Sequence, residues 1–190
     1  MPYNLYDVST VRDILETAID NLIDNFTREP YLHRCEHSIH CELYNMLAAH
    51  RALQGLYPFK KRSDLKTALI HKEWPETIPR PKNGNKRGNF DLAILDPNEI
   101  SESTRTDFTD GRIKPKFVVE LGLNYNLDHL KNDQSKLKNS KIENGYLIHL
   151  WQPHRGVTDT DIEALKEWSK KKGNVAVAVL RGTNSVERLL

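Results

Sequence analysis

Two short apolar runs each carry an acid where the pattern calls for a hydrophobic residue. One is Lys86-Arg87-Gly88-Asn89-Phe90-Asp91-Leu92-Ala93-Ile94-Leu95; the other is Lys116-Phe117-Val118-Val119-Glu120-Leu121-Gly122-Leu123. Side chains alternate along a strand, so Asp91 points with Ala93 and Leu95, and Glu120 with Val118 and Gly122. If the runs are hairpin neighbours, the two carboxylates converge. Without a cation they would repel, and at least one pKa would rise. With a hard divalent ion they form an oxygen-ligand site suited to magnesium or manganese, completed by further carboxylate, carbonyl or water oxygens. An ion so held polarises a phosphodiester and lowers the pKa of an attacking water.

The acids need elements to hold them. Residues 9–25 read as a helix capped by Ser9, with Val11, Leu15, Ala18, Ile19, Leu22 and Ile23 at helical spacing. A second helix runs from about residue 36 to 54 and ends before Gly55. At about 100° per residue, Ile39, Leu43, Met46 and Leu53 share one arc, and Glu42 falls on it. A carboxylate on a core-facing stripe is costly unless it is paired or bound. Glu42 is therefore a third candidate ligand, with a place at the stripe's edge, in solvent or beside an arginine, as the other reading.

Leu69 to Trp74 reads as a strand stopped by Pro75, and Phe90–Leu95 and Phe117–Leu123 as the next two. Between the first two lies a Pro- and Gly-rich loop carrying Arg80, Lys82, Lys86 and Arg87, which leads straight into Asp91. Residues 96–115 form a long polar excursion, read as a hairpin or a partly disordered insertion. The continuous apolar run of 117–123 predicts a central strand covered on both faces. Residues 127–139 form a helix with Leu127, Leu130 and Leu137 inward and Gln134 between the first two. A strand at 145–151, a helix at 159–172 ended by Gly173, and a strand at 174–180 complete the order. The strand–helix–strand units predict right-handed crossovers and an α/β sheet with helices on both faces. The whole of 1–190 reads as one domain with its core at about 36–180.

This order, with Glu42, Asp91 and Glu120 in it, resembles the PD-(D/E)xK nuclease superfamily, the fold of restriction endonucleases and Holliday-junction resolvases. That family has a helix with a Glu, an Asp on the second strand of a hairpin, Glu-x-Lys on the third strand, then a helix and a strand. The resemblance covers roughly residues 36–151 and implies a restriction endonuclease-like mixed sheet flanked by helices. It implies a magnesium- or manganese-dependent nuclease acting on DNA. Asp91, Glu120 and Glu42 would be ligands, with the carbonyl of Leu121 as a further one. Arg80, Lys82, Lys86 and Arg87 would contact phosphates, which set affinity more than sequence choice. The chain departs from the family at Gly122, where the motif's lysine should stand. The lysine can come from another position in that family, and Lys131 and Lys72 are the candidates here. Gln134 resembles the polar helix residue that some members add to the catalytic site.

Composition sets broad bounds. The 190 residues are 28% charged and 38% hydrophobic with a net charge of +2, an ordinary globular composition. No run of about 18 apolar residues occurs, and the first residues lack a signal peptide's pattern. Cys35 and Cys41 do not make a disulfide framework. The expectation is a reduced, cytoplasmic protein with a nucleic-acid partner, no membrane partner and possible homodimer formation. No phosphate-binding Gly-rich loop and no Gly-x-Ser-x-Gly elbow is present.

Two other readings stand. Because Gly122 replaces the lysine, the chain can be a nuclease-fold protein without activity, serving as a nucleic-acid-binding or assembly module. His33, Cys35, His37, His40 and Cys41 suggest a zinc-stabilised structural protein, although no second ligand pair is evident. His71 and His149 are read as strand packing residues, with His71, on the face of Glu73, also placed to line the site.

Overall fold

The computed structural model describes residues 6–80, 86–152, 160, 163, 175–181 and 185–189, with 175–181, 185–189 and Leu127 described by backbone alone. The predicted helix at 159–172 and its Gly173 stop therefore lie largely outside the described residues, as does Lys82. The chain forms a single α/β domain built on a mixed sheet with flanking helices.

The first helix, α1, spans Val8–Arg28 and buries Val11, Leu15, Ala18, Ile19, Leu22, Ile23 and Phe26. Its cap is Asp7, one residue before the helix, whose carboxylate accepts the Thr10 N–H at 3.0 Å. Ser9, predicted as the cap, already lies inside the first turn. The second helix, α2, spans Glu36–Ala48 and is followed by a 3-10 turn at Arg51–Leu53, so it stops earlier than its apolar pattern suggests. It packs alongside α1 and over the sheet.

A two-stranded ribbon follows, β1 (Tyr57–Phe59) and β2 (Arg62–Thr67), turning at Lys61 with φ of 57°. The main sheet begins at β3 (Ile70–Pro75) and β4 (Asn89–Ile94), which pair antiparallel. The excursion at 96–115 is ordered rather than a hairpin. It contains α3 (Pro97–Glu102), capped by Asp96, and α4 (Arg105–Thr109), closed by a Thr104–Asp107 capping box. Phe108 anchors it against Phe59, His71 and Trp74.

Next come β5 (Phe117–Leu123), α5 (Leu127–Asn139) and β6 (Asn144–Trp151). Every residue of β5 is buried, as its unbroken apolar run predicts. Its pairing with β4 is antiparallel and with β6 parallel, so β5–α5–β6 is the expected strand–helix–strand unit. The backbones of β7 (Val175–Arg181) and β8 (Ser185–Leu189) extend the sheet to the order β3-β4-β5-β6-β7-β8. The register assigns the faces. Asp91, Ala93, Glu120, Gly122 and His149 share one, and Leu92, Val119, Leu121 and Tyr146 share the other. Helix α1 lies on the second face, where Glu16 accepts from Tyr146 at 2.9 Å and Arg12 donates to Asn144 at 2.7 Å. Helix α5 lies on the first, through Lys136 and Glu120.

Candidate functional site

The β4–β5 ladder is recorded from Ile94↔Phe117 to Leu92↔Val119. One step further, Asp91 and Glu120 would stand opposite each other on one face. Here the side chain of Asp91 intervenes: its Oδ2 accepts the Leu121 N–H at 2.7 Å. Leu121, expected to offer its carbonyl to a metal, thus contributes its N–H to a carboxylate. On the other side of β4, Glu73 adopts a φ of 53°, a left-handed backbone that only a local departure from a regular strand produces.

Around this point the structure gathers acids and imidazoles from three further elements. Helix α2 supplies Glu36 and His40, one turn apart, with His40 Nε2 3.5 Å from Glu36 Oε1 and 3.7 Å from Asp91 Oδ2. Strand β6 supplies His149. Helix α5 supplies His129, Asp133 and Lys136, at the spacing that stacks side chains on one helix face. The helix starts at Asn126, whose side chain accepts the His129 N–H at 3.1 Å. Lys136 Nζ lies 2.9 Å from Glu120 Oε2 and 3.0 Å from Asp133 Oδ1. Asp133 Oδ2 lies 3.2 Å from His129 Nε2 and 3.8 Å from His149 Nε2.

The electrostatics follow from burial. Glu120 has no exposed surface, and its Oε1 has no hydrogen-bond partner. Burial, reinforced by the Asp91 charge, pushes its carboxyl well above the usual range, against the pull of Lys136. Burial also raises Asp91, partly countered by His40 and the Leu121 N–H. Glu36 goes the other way: burial acts to raise it, but the His40 hydrogen bond and charge leave it lowered. Burial alone would also lower the Lys136 ammonium, yet the Glu120 and Asp133 carboxylates outweigh it and hold the proton more tightly than usual. His149 is lowered by burial, so its imidazole is neutral at physiological pH. Three carboxyls, those of Asp91, Glu120 and Asp133, thus act on one buried ammonium, with Glu36 beside His40. Such an excess favours an added cation.

The sequence-predicted residues are distributed as follows. Asp91 and Glu120 come together as expected. Glu42 does not join them; its Oε1 accepts from Asn25 Nδ2 at 2.8 Å and its Oε2 meets His33 Nε2, both away from Asp91. The acid that α2 offers is Glu36. Lys131 is exposed and lies 3.6 Å from Asp128, while Lys72 reaches His37 at 3.3 Å and Cys41 at 3.4 Å. The lysine beside Glu120 is Lys136. Gln134 is half-buried, one position past the fully inward Asp133.

Arg87 is spent on the fold. Its guanidinium donates to the carbonyls of Glu76, Asp110 and Gly111, fastening the basic loop to the excursion. Arg80 pairs with the buried Glu76 at 3.0 Å and donates to Asn132 at 2.8 Å. Of the described loop cations, Lys86 is the exposed one. The zinc reading of 33–41 finds its residues dispersed: His33 on Glu42, His37 and Cys41 beside Lys72, His40 toward Asp91, and both cysteines exposed and free. His71 is a packing residue, its Nε2 donating to the Ala68 carbonyl at 3.0 Å and its ring tilted against Trp74.

Gly122 has a steric reason. A Cβ there would run into the His149 ring on the neighbouring strand. The motif position is glycine because the space above it holds an imidazole. His149 could be read as a mere strand histidine in sequence, since its register partner is set only by the β5–β6 pairing, Gly122↔His149.

No protein-family model, curated protein or solved structure matches this chain. Fold and site define a single α/β domain with a buried acid–imidazole cluster on one face of the sheet. Among the described residues, no helix is long and apolar enough to cross a membrane.

Proposed function

We propose that the chain is a magnesium-dependent phosphodiesterase of the restriction endonuclease-like, PD-(D/E)xK kind, acting on DNA. The observation that carries this reading is the 2.9 Å contact of Lys136 Nζ with Glu120 Oε2. It sets a lysine beside the motif's acid although position 122 is glycine. The element order α2, β3–β4 hairpin, β5, α5, β6 further supports it. So does the donor set: Asp91 and the unpartnered Oε1 of buried Glu120 are hard oxygens that repel each other without a cation.

Asp91 and Glu120 would hold the ion, with Glu36 behind them. Bound there, magnesium supplies Lewis-acid polarisation of the phosphodiester and a more acidic water. The chain's own residues do the rest. Lys136 keeps its proton, so it acts as a fixed cation that offsets charge developing on the attacked phosphate rather than as a base. Asp133 orients that ammonium. The Leu121 N–H fixes one Asp91 oxygen and leaves Oδ1 to the ion. Lys86 is the described loop cation left to meet phosphates, with Lys82, outside the described residues, proposed beside it from sequence; Arg80 and Arg87 shape the described part of the loop. Lys136 beside Glu120 supports this reading over that of a non-catalytic binding or assembly module, which Gly122 motivates.

The test is cleavage of supercoiled plasmid, linear duplex, single strands and branched DNA with magnesium or manganese. Asp91→Ala should lower the rate at least ~100-fold with an unchanged circular dichroism spectrum. Metal-dependent cleavage surviving in Asp91→Ala, or no cleavage of any substrate by the native chain, overturns the reading. Glu36→Gln should weaken the metal dependence, whereas Glu42→Gln should leave it unchanged.

A further inference from the structure

The magnesium reading makes ligands of none of His129, Asp133 and His149, and uses only Asp133 Oδ1, to orient Lys136. Their ligand atoms, two imidazole Nε2 and one carboxylate oxygen, lie within 4.8 Å of one another. The separations at Asp133 Oδ2, 3.2 Å to His129 and 3.8 Å to His149, are close to those between ligands around one tetrahedral ion with bonds of about 2 Å.

The second observation is an unmet hydrogen-bonding demand. His149 is 1% exposed, and neither of its ring nitrogens has a hydrogen-bond partner. Its 3.8 Å approach to Asp133 is too long for a hydrogen bond. Asp133 is also 1% exposed, and neither oxygen has a partner of good hydrogen-bond geometry. Buried groups of this kind are satisfied in native proteins by ions or ordered water when not by protein atoms. Two imidazole nitrogens beside a buried, unpartnered carboxylate form a donor set that a metal would satisfy.

The surroundings fix the geometry. Gly122 clears the space for the His149 ring, which Trp151 flanks at 5.3 Å. Tyr125 stacks face to face on His129, with centroids 4.0 Å apart and planes 5° off parallel. Lys136 holds Asp133 Oδ1 at 3.0 Å, which turns Oδ2 toward the imidazoles. The donor set also selects the ion. Two imidazoles and one carboxylate suit a borderline transition ion, whereas magnesium demands an oxygen shell.

We infer that His129, Asp133 and His149 form a second metal site that binds a zinc-class transition ion, separate from the oxygen site at Asp91 and Glu120. Three protein ligands leave the fourth position open to water. The ion would tie α5 to β6, and through Asp133 it would set where Lys136 stands. The inference does not rest on the phosphodiesterase reading, since it uses none of that site's ligands.

The experiment is titration of the full-length, metal-stripped chain with zinc alone, followed calorimetrically. Cobalt titration then checks for the visible bands of a tetrahedral site. The native chain should bind one zinc, and His129→Gln should weaken it at least ~10-fold. His129 is partly exposed, so this variant is the one expected to fold normally, as dichroism will check; His149→Gln is the companion. Asp91→Asn should leave the zinc affinity within about twofold. Unchanged zinc affinity in folded His129→Gln overturns the inference, as does loss of zinc in Asp91→Asn. No zinc binding by the native chain overturns it too, whatever the DNA-cleavage assays give.

Discussion

Lys136 and Glu120 are separated by 16 residues in sequence and by 2.9 Å in space, an ammonium on α5 resting on a carboxylate at the centre of the sheet. The pair is buried, so each partner depends on the other far more than an exposed ion pair would. The same lysine also meets Asp133 at 3.0 Å, joining two clusters of ligand atoms with one charge.

Lys136→Met should remove the cation and leave Glu120 with no countercharge. The expected cost is about 3 kcal/mol at neutral pH. The sign with pH is defined: loss of Lys136 raises the folded-state Glu120 pKa further above its unfolded value. The variant is therefore most stable below about pH 4.5, where Glu120 is protonated in both states, and loses stability as pH rises through the folded pKa. Urea denaturation across that range checks this. A deficit that is flat with pH would show that Glu120 is not the group left exposed to the loss.

Magnesium binding at Asp91 and Glu120 must displace the proton that burial favours on both. The two raised pKa values mean that the metal-free fold is relatively stabilised in acid and loses that contribution as pH rises through them. Magnesium should thus raise the melting temperature more at about pH 8 than at about pH 5, by several degrees at saturating ion. Differential scanning fluorimetry with and without magnesium measures it. A magnesium shift independent of pH would place the ion elsewhere.

Gly122→Ala should destabilise the fold by about 1–3 kcal/mol, because the new methyl group meets the His149 ring. The double variant Gly122→Ala, His149→Ala should recover part of that loss, since the obstructing ring is gone. A double-mutant cycle from denaturant midpoints gives the coupling. Additive effects would mean that the ring shifts aside freely.

Much of the scaffold was legible because hydrophobic periodicity reports burial. The strands around Asp91 and Glu120, the central position of β5 and the extent of α5 all follow from it. What periodicity misjudged was helix phase. For α2, an arc anchored on Met46 and Leu53 carries Glu42; the buried residues are Ile39, His40, Leu43 and Leu47. That rotates the helix by about 60° and brings Glu36 and His40 to the site. For α5, anchoring on Leu127 turns Gln134 inward, whereas Leu130, Asp133 and Leu137 are buried, a rotation of about 40°.

The cause is the same in both helices. A buried histidine or aspartate does not count as core on a hydrophobic scale, so an arc fitted to apolar residues drifts away from the functional face. The signal that would have corrected it is a polar stripe: Glu36 with His40, and His129 with Asp133 and Lys136, at one-turn spacing. The β1–β2 ribbon and the ordered α3–α4 excursion were illegible for another reason. They are held by long-range ties, such as the Lys60 N–H to the Ser103 carbonyl at 2.9 Å for the ribbon and Trp74 Nε1 to the Ile113 carbonyl at 3.2 Å for the excursion, that no local pattern displays.

The missing side chain at position 122 links two strands as a single unit of inheritance. A lineage of this chain that replaced Gly122 would have to give up the His149 ring in the same period. One that kept the ring would have no freedom at 122. The two positions should therefore vary together among relatives, while Lys136, reached from a different element, is free of that bond. A glycine beside a histidine across β5 and β6, with a lysine downstream on the connecting helix, is the trace by which such relatives could be found.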